Sequence, residues 1–88
     1  MLEVKKFYGV WCGPCRVLTP VINEIKEQFP SVKFHDIDID DDYEEATKYE
    51  IRSVPTVILI KDGVEVDRII GLSSKSKYVG LITEQTNL

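Results

Sequence analysis

The sequence predicts an α/β fold, a four-stranded mixed sheet with helices on both faces, built in the order βαβαββα. Three observations predict it. Apolar residues after Cys12 recur at three- and four-residue steps over the length of a helix. "TVILIK" at 56–61 is a nearly unbroken β-branched run, the pattern of a strand buried on both faces. "DG" at 62–63, followed by "VEVDRII", signals a hairpin and therefore an antiparallel pair.

Each element follows in order. "LEVKKFY" at 2–8 is rich in β-branched and aromatic residues and reads as the first strand, although Lys5 and Lys6 interrupt it. Val17, Leu18, Val21, Ile22, Ile25 and Phe29 form the inner stripe of an amphipathic helix that Pro30 stops. Pro20 lies inside that stripe and is expected to kink the helix rather than break it. "VKFHDIDI" at 32–39 reads as a second strand, with Phe34, Ile37 and Ile39 as core contacts. Asp41 or Asp42 can cap a short helix over 43–50. The hairpin occupies 56–70, and Gly71 ends it. Ser73 or Ser74 then caps a last helix that turns Tyr78, Val79, Leu81 and Ile82 inward. The first two strands, joined through a helix, should run parallel with a right-handed crossover.

The totals bound the function. A chain of 88 residues is enough for one small domain, expected to span 1–88. With 11 basic and 15 acidic residues the formal net charge is −4, which repels phosphate backbones, and no Lys/Arg cluster offsets it. Nucleic-acid binding is not expected. The start "MLEVKKFYGVW" is too short and too charged for a signal peptide, and no apolar run could span a membrane, so a cytoplasmic location is expected. Two cysteines cannot build a disulfide scaffold, and a bridge three residues long closes too small a loop to stabilise much.

The chemistry therefore sits in "FYGVWCGPCRVLTP". Cys12 lies where the first strand gives way to the helix. Gly13 permits the tight passage, and Pro14 suits the first helical turn, where its missing N–H would have had no partner. Free backbone N–H groups and the positive end of the helix dipole stabilise a thiolate, so Cys12 should have a depressed pKa and act as the nucleophile. Cys15 faces the same side, can reach the Cys12 sulfur, and is expected to resolve the mixed disulfide that Cys12 forms with a substrate. The rival is metal, but a structural zinc needs four ligands and a second CxxC or Cys/His pair is absent from the sequence. His35, the only histidine, reads as an edge-facing side chain on the second strand. No metal site is expected, and no Gly-rich phosphate loop suggests a cofactor.

"WCGPC" at 11–15, "VPT" at 54–56 and Gly71 before the last helix together resemble the thioredoxin family, and the resemblance covers essentially the whole chain. A bare CxxC is weak evidence. The five-residue form with Val-Pro-Thr and a DG hairpin in register is strong. The resemblance implies that the Val54–Pro55 bond is cis and packs beside the cysteines. It also implies that Trp11, Gly13, Pro14, Val54, Pro55, Gly71 and Leu72 form the apolar substrate-binding rim around Cys12. Such a turn exposes backbone groups to an extended substrate strand, and Gly71 would let that strand approach closely.

The sequence departs from the family in two places. It begins at the strand leading into CxxC, without the strand and helix that precede it in full-length members, and so resembles compact viral and archaeal forms. That would leave 32–39 at the sheet edge, where Asp36, Asp38 and Asp40 would discourage edge-to-edge pairing. The sharper departure lies six residues before the first cysteine. The family usually carries a buried Asp there, but this chain has Lys6, and Asp36 stands on the neighbouring strand where many members place a Lys. Lys6 and Asp36 are read as a reversed pair under the cysteines that tunes their pKa values.

The function this implies is a cytoplasmic thiol–disulfide oxidoreductase that reduces protein disulfides, contributing to electron transport and cell redox homeostasis. A flavin-dependent thioredoxin reductase would regenerate it. Ribonucleotide reductase is a client by family, though no residue here selects it. A monomer is the simplest expectation. Two alternatives stand beside this reading. One is a glutaredoxin-like, glutathione-dependent reductase, which Trp11, Gly13-Pro14 and the lack of a cationic glutathione site argue against. The other is a non-catalytic assembly subunit that uses the same surface.

Overall fold

The computed structural model describes residues 1–87. Strands β1 (Leu2–Tyr8), β2 (Lys33–Asp38), β3 (Thr56–Lys61) and β4 (Val64–Ile70) alternate with helices α1 (Gly13–Gln28), α2 (Tyr43–Lys48) and α3 (Lys75–Thr86), in the predicted order. The sheet runs β2-β1-β3-β4. β1 and β2 are parallel, with Lys6 opposite Asp36. β1 pairs antiparallel with β3, and β3 with β4.

Alternation along the two central strands divides the core between the faces of the sheet. Leu2, Val4, Val57 and Leu59 meet Leu18, Ile22 and Ile25 of α1 and Tyr78 and Ile82 of α3. On the other face Phe7, Ile58 and Ile60 pack against Ala46 of α2, with Ile37, Ile39 and Tyr49 at the margin. Each fully buried aliphatic of this kind is worth about 1.5–3 kcal/mol relative to exposure. The first face thus rests on the three-and-four spacing of α1 from Leu18 onward, Val17 turning outward at 56% exposure, and the second on the unbroken apolar run of β3.

The connections explain where elements stop. Asp62 and Gly63 both hold positive φ, 51° and 84°, which a type I′ turn requires and which Asp-Gly supplies. The β3–β4 register shifts by one residue, from Leu59 opposite Asp67 to Ile60 opposite Glu65, which leaves Val66 as a bulge. α2 ends at Lys48 rather than at Glu50, because Glu50 turns to φ 54° and the Ile51 N–H closes back on the Ala46 carbonyl at 2.9 Å. Asp42 caps α2 by accepting the Glu45 N–H, and Ser74 caps α3 by accepting the Lys77 N–H. α1 runs unbroken through Pro20.

β2 forms one edge of the sheet, as its alternating aspartates suggest, but it ends at Asp38. The following turn folds back, with the Ile39 N–H donating to Tyr8 O at 3.0 Å and the Asp40 N–H to Asp38 Oδ1 at 2.9 Å. This carries Asp40 off the edge and toward the β1–α1 loop.

Candidate functional site: a dithiol pair at a helix start

β1 ends against the start of α1, and the link between them is braced by its own backbone. The Cys12 N–H donates to Gly9 O at 3.1 Å, and Arg16 Nη2 reaches back to Val10 O at 2.9 Å. Cys12 has extended backbone geometry (φ −91°, ψ 111°) and is the N-cap of α1, with Pro14 in the first turn. Its sulfur takes the place that a Ser or Asp oxygen usually holds in a cap, accepting the Cys15 N–H at 3.2 Å. The first turn, Gly13-Pro14-Cys15-Arg16, adds one positive charge and no negative one. Cap hydrogen bond, helix dipole and Arg16 all favour negative charge on the Cys12 sulfur.

The two cysteines are joined as a disulfide, with Cα atoms 5.3 Å apart. Cys12 is the more accessible, 5% exposed against 2% for Cys15. The Val54–Pro55 peptide is cis, and the Val54 carbonyl oxygen lies 3.7 Å from Cys12 Sγ. The cis-proline loop is joined in turn to the end of β4, where the Gly71 N–H donates to Pro55 O at 2.8 Å. Gly71 holds φ 85°, a conformation that favours glycine. One chain of contacts therefore links Cys12, Val54-Pro55 and Gly71-Leu72, three segments far apart in sequence. Around them Trp11 is 62% exposed, Leu72 47% and Ile70 65%, while Pro55 is buried and Val54 half-buried. Gly13 and Pro14 are exposed at the helix start.

Trp11 is held rather than free. Its Nε1–H donates to Asp40 Oδ2 at 3.0 Å, so Asp40 anchors the indole instead of guarding the strand edge. Gly9 allows this packing, because a Cβ there would fall 2.6 Å from Trp11 Cε2. Reading the sequence missed Gly9, Asp40, Arg16 and Ile70. The available signals were a glycine and a bulky apolar residue flanking the motif and Gly71, and an acidic residue just past the end of a strand.

Lys6 is buried at 5% exposure on the α1 face of β1. Its ammonium donates to Thr19 Oγ1 at 3.2 Å, lies 3.4 Å from Asp36 Oδ1 and stands over the Tyr8 ring at 5.4 Å. Thr19 Oγ1 donates onward to Cys15 O at 3.1 Å, so one side chain separates the ammonium from the backbone of the second cysteine. Asp36 is different. Its side chain is 43% exposed at the sheet edge and is shared with Lys26, whose Nζ lies 3.3 Å from Oδ2. The pair is asymmetric, a buried cation with a half-solvated anion. His35 lies on the same strand and pairs with Glu3 Oε1 at 2.9 Å, as an edge side chain.

The combination of an N-cap cysteine, its partner one turn on and a cis-proline loop against the sulfur decides the family. The chain belongs to the thioredoxin family. The thioredoxin sequence model matches residues 2–84. A thioredoxin of Chlamydia pneumoniae is 44% identical over 83 residues, 94% of this chain and 81% of that one. Among solved structures, a single-site mutant of the thioredoxin from Halobacterium salinarum superposes with a TM-score of 0.93 at 36% identity, covering 99% of this chain and 76% of that one. Fasciola hepatica thioredoxin gives 0.88 at 40% identity, covering 94% and 79%. The thioredoxin fold, its mixed four-stranded sheet and its CxxC pair make this protein a thiol–disulfide oxidoreductase, a protein-disulfide reductase acting through Cys12 and Cys15. Among the described residues no helix is long and apolar enough to cross a membrane.

Proposed function

We propose that residues 1–88 act as a single monomeric thioredoxin domain in the cytoplasm, with Cys12 as nucleophile and Cys15 as resolving thiol. The observation that carries the assignment is the N-cap hydrogen bond, since only the Cys12 sulfur receives a main-chain N–H at the helix start. The Cys12 thiolate attacks one sulfur of a substrate disulfide, forming a mixed disulfide and releasing the other as a thiolate. Cys15, deprotonated, then attacks Cys12 Sγ. This forms the Cys12–Cys15 disulfide and frees the second substrate thiol, so two electrons and two protons have passed to the substrate. Two electrons from thioredoxin reductase restore the dithiol, placing the protein in cellular electron transport and redox homeostasis.

Trp11, Gly13, Pro14, Val54, Pro55, Gly71 and Leu72 form the substrate rim in this reading. The chain of contacts from Cys12 through Val54 and Pro55 to Gly71 supports it. Lys6 and Asp36 act as a charge pair that favours thiolate formation, supported by the Lys6–Thr19–Cys15 connection. Asp36 is the nearest carboxylate to Lys6 and the candidate acceptor for the Cys15 proton. The test is trapping. Cys15→Ser should accumulate mixed disulfides with substrate through Cys12, and Cys12→Ser should form none. Iodoacetamide labelling of the reduced protein near neutral pH should modify Cys12 first, and preferential labelling of Cys15 would sink the assignment.

A further inference from the structure

The substrate rim contains a segment, Gly71-Leu72-Ser73, that belongs to neither β4 nor α3. Its backbone polar groups therefore lie outside both ladders and need partners from elsewhere. Tyr78 supplies two of them. The ring is buried in the core at 1% exposure, and the hydroxyl accepts the Ser73 N–H at 3.1 Å and points its own O–H at Gly71 O, 3.4 Å away. The first bond is of ordinary length and the second is the weaker one. Gly71 is thus tied on both sides, by its N–H to Pro55 O and by its carbonyl to α3. Leu72, 47% exposed, projects from the short span between these ties.

A core position on α3 needs only an apolar ring to fill it, and Phe would do so without a hydroxyl to desolvate. Among the described residues, both hydrogen bonds of the Tyr78 hydroxyl go to the backbone of the substrate loop. We propose that Tyr78 is a positioning residue for protein-substrate recognition, holding the Gly71–Leu72 backbone in the orientation that receives an extended substrate strand. This rests on the disulfide-reductase reading above and names a residue through which that site is shaped. Acting as acceptor and donor at once requires the neutral hydroxyl. Burial pushes the Tyr78 pKa above its ordinary value, only partly opposed by the Ser73 hydrogen bond, and so keeps it neutral.

The test separates a substrate that lies along the rim from one that touches only the sulfur. Reduced wild type and Tyr78→Phe are mixed in stopped flow with excess insulin, a protein disulfide, and with excess 2-hydroxyethyl disulfide, and oxidation is followed by Trp11 fluorescence. Losing one or two loop hydrogen bonds should lower the ratio of the insulin rate constant to the small-disulfide rate constant by about threefold to tenfold. Hydrogen exchange at the Ser73 amide should accelerate with it. An unchanged ratio, or equal slowing with both substrates, would show that the hydroxyl serves the fold alone and would overturn the proposal. Wild type inert toward both disulfides would instead overturn the reductase reading on which it rests. Replacing the Ser73 amide by an ester in chemically synthesised protein removes the same bond from the donor side without adding bulk beside Tyr78. It should lower the ratio in the same direction, and it decides the matter if Tyr78→Phe fails to fold.

Discussion

Removing the Lys6 ammonium and removing the Asp36 carboxylate should have unequal costs, with the exposed partner the more expensive to lose. The two groups are 3.4 Å apart, with side chains 6% and 43% exposed. Coulomb's law at an effective dielectric of about 20 gives a gross attraction near 5 kcal/mol at that distance. Asp36 stands half in water, so the net interaction is discounted to roughly 1–2 kcal/mol. Lys6→Met keeps the buried stem and deletes only the charge, and Asp36 still has Lys26 at 3.3 Å and solvent. The expected change is within about 1 kcal/mol of zero. Asp36→Ala leaves the buried ammonium with the Thr19 hydroxyl and the Tyr8 face alone, at a cost of about 2 kcal/mol. In urea, with a slope of about 2 kcal/mol per M, that is a fall of about 1 M in the midpoint of the reduced protein. The double variant should resemble Lys6→Met and not the sum. The same Lys6→Met protein should need a higher pH for iodoacetamide labelling of Cys12, because a buried positive charge near the first turn of α1 has gone. Lys6→Met costing more than Asp36→Ala, or strict additivity, would refute the reasoning.

Two further outcomes follow from single contacts. Gly9→Ala places a methyl group against the Trp11 indole, so the ring must swing and release Asp40. Tryptophan fluorescence should shift and insulin reduction should slow, with stability changed by less than about 1 kcal/mol because the ring is already exposed; unchanged fluorescence would show that the indole is not held as described. Arg68 donates to both Glu65 oxygens, at 2.6 and 2.7 Å, and this hydrogen bonding holds the Glu65 pKa below its ordinary 4.5. A carboxylate with a depressed folded pKa stabilises fully above its unfolded value and loses that contribution as pH falls through the folded one. Glu65→Gln should therefore cost about 0.5–1 kcal/mol near neutral pH and nothing in strong acid. Urea midpoints at the two pH values check this, and a cost that persists in acid would contradict it.

What the sequence made legible is local in its physics. The stripe of α1 is a 3.6-residue period, and the Asp62-Gly63 turn is a demand for positive φ. The place of Cys12 at a helix start follows from Gly13 and Pro14. Each needs only a few neighbouring residues to be read. Gly9 and Arg16 meet neighbours two and six residues away, but the other missed roles need atoms from separated segments. Asp40 reads as part of an acidic ladder until β2 ends at Asp38 and the turn swings it toward Trp11. Lys26 lies on α1 outside the apolar stripe, and only the β2 edge beside it makes it a second partner for Asp36. Tyr78 faces inward as its spacing on α3 predicts, but periodicity reports where a ring goes and says nothing of where its hydroxyl ends.

These non-local contacts bear on how an acidic chain can favour an anionic sulfur. A net charge of −4 would, if evenly spread, oppose a thiolate at Cys12. The fold works against this by placement. Asp40 is turned to the indole nitrogen, Asp36 is tied to two lysines, and Glu45 is paired with Lys5 on the opposite face of the sheet. What surrounds the sulfur is a main-chain N–H, the start of a 16-residue helix and the Val54 carbonyl, with Arg16 bound to Val10 O in the same turn and the buried Lys6 one threonine away from Cys15. Short-range, partly buried fields of this kind are weakly screened, whereas the scattered surface carboxylates lose most of their influence within about 8–10 Å at ordinary salt. If the local arrangement governs, raising ionic strength should change the iodoacetamide labelling rate of wild-type Cys12 little, and a strong salt dependence would show that the net charge dominates.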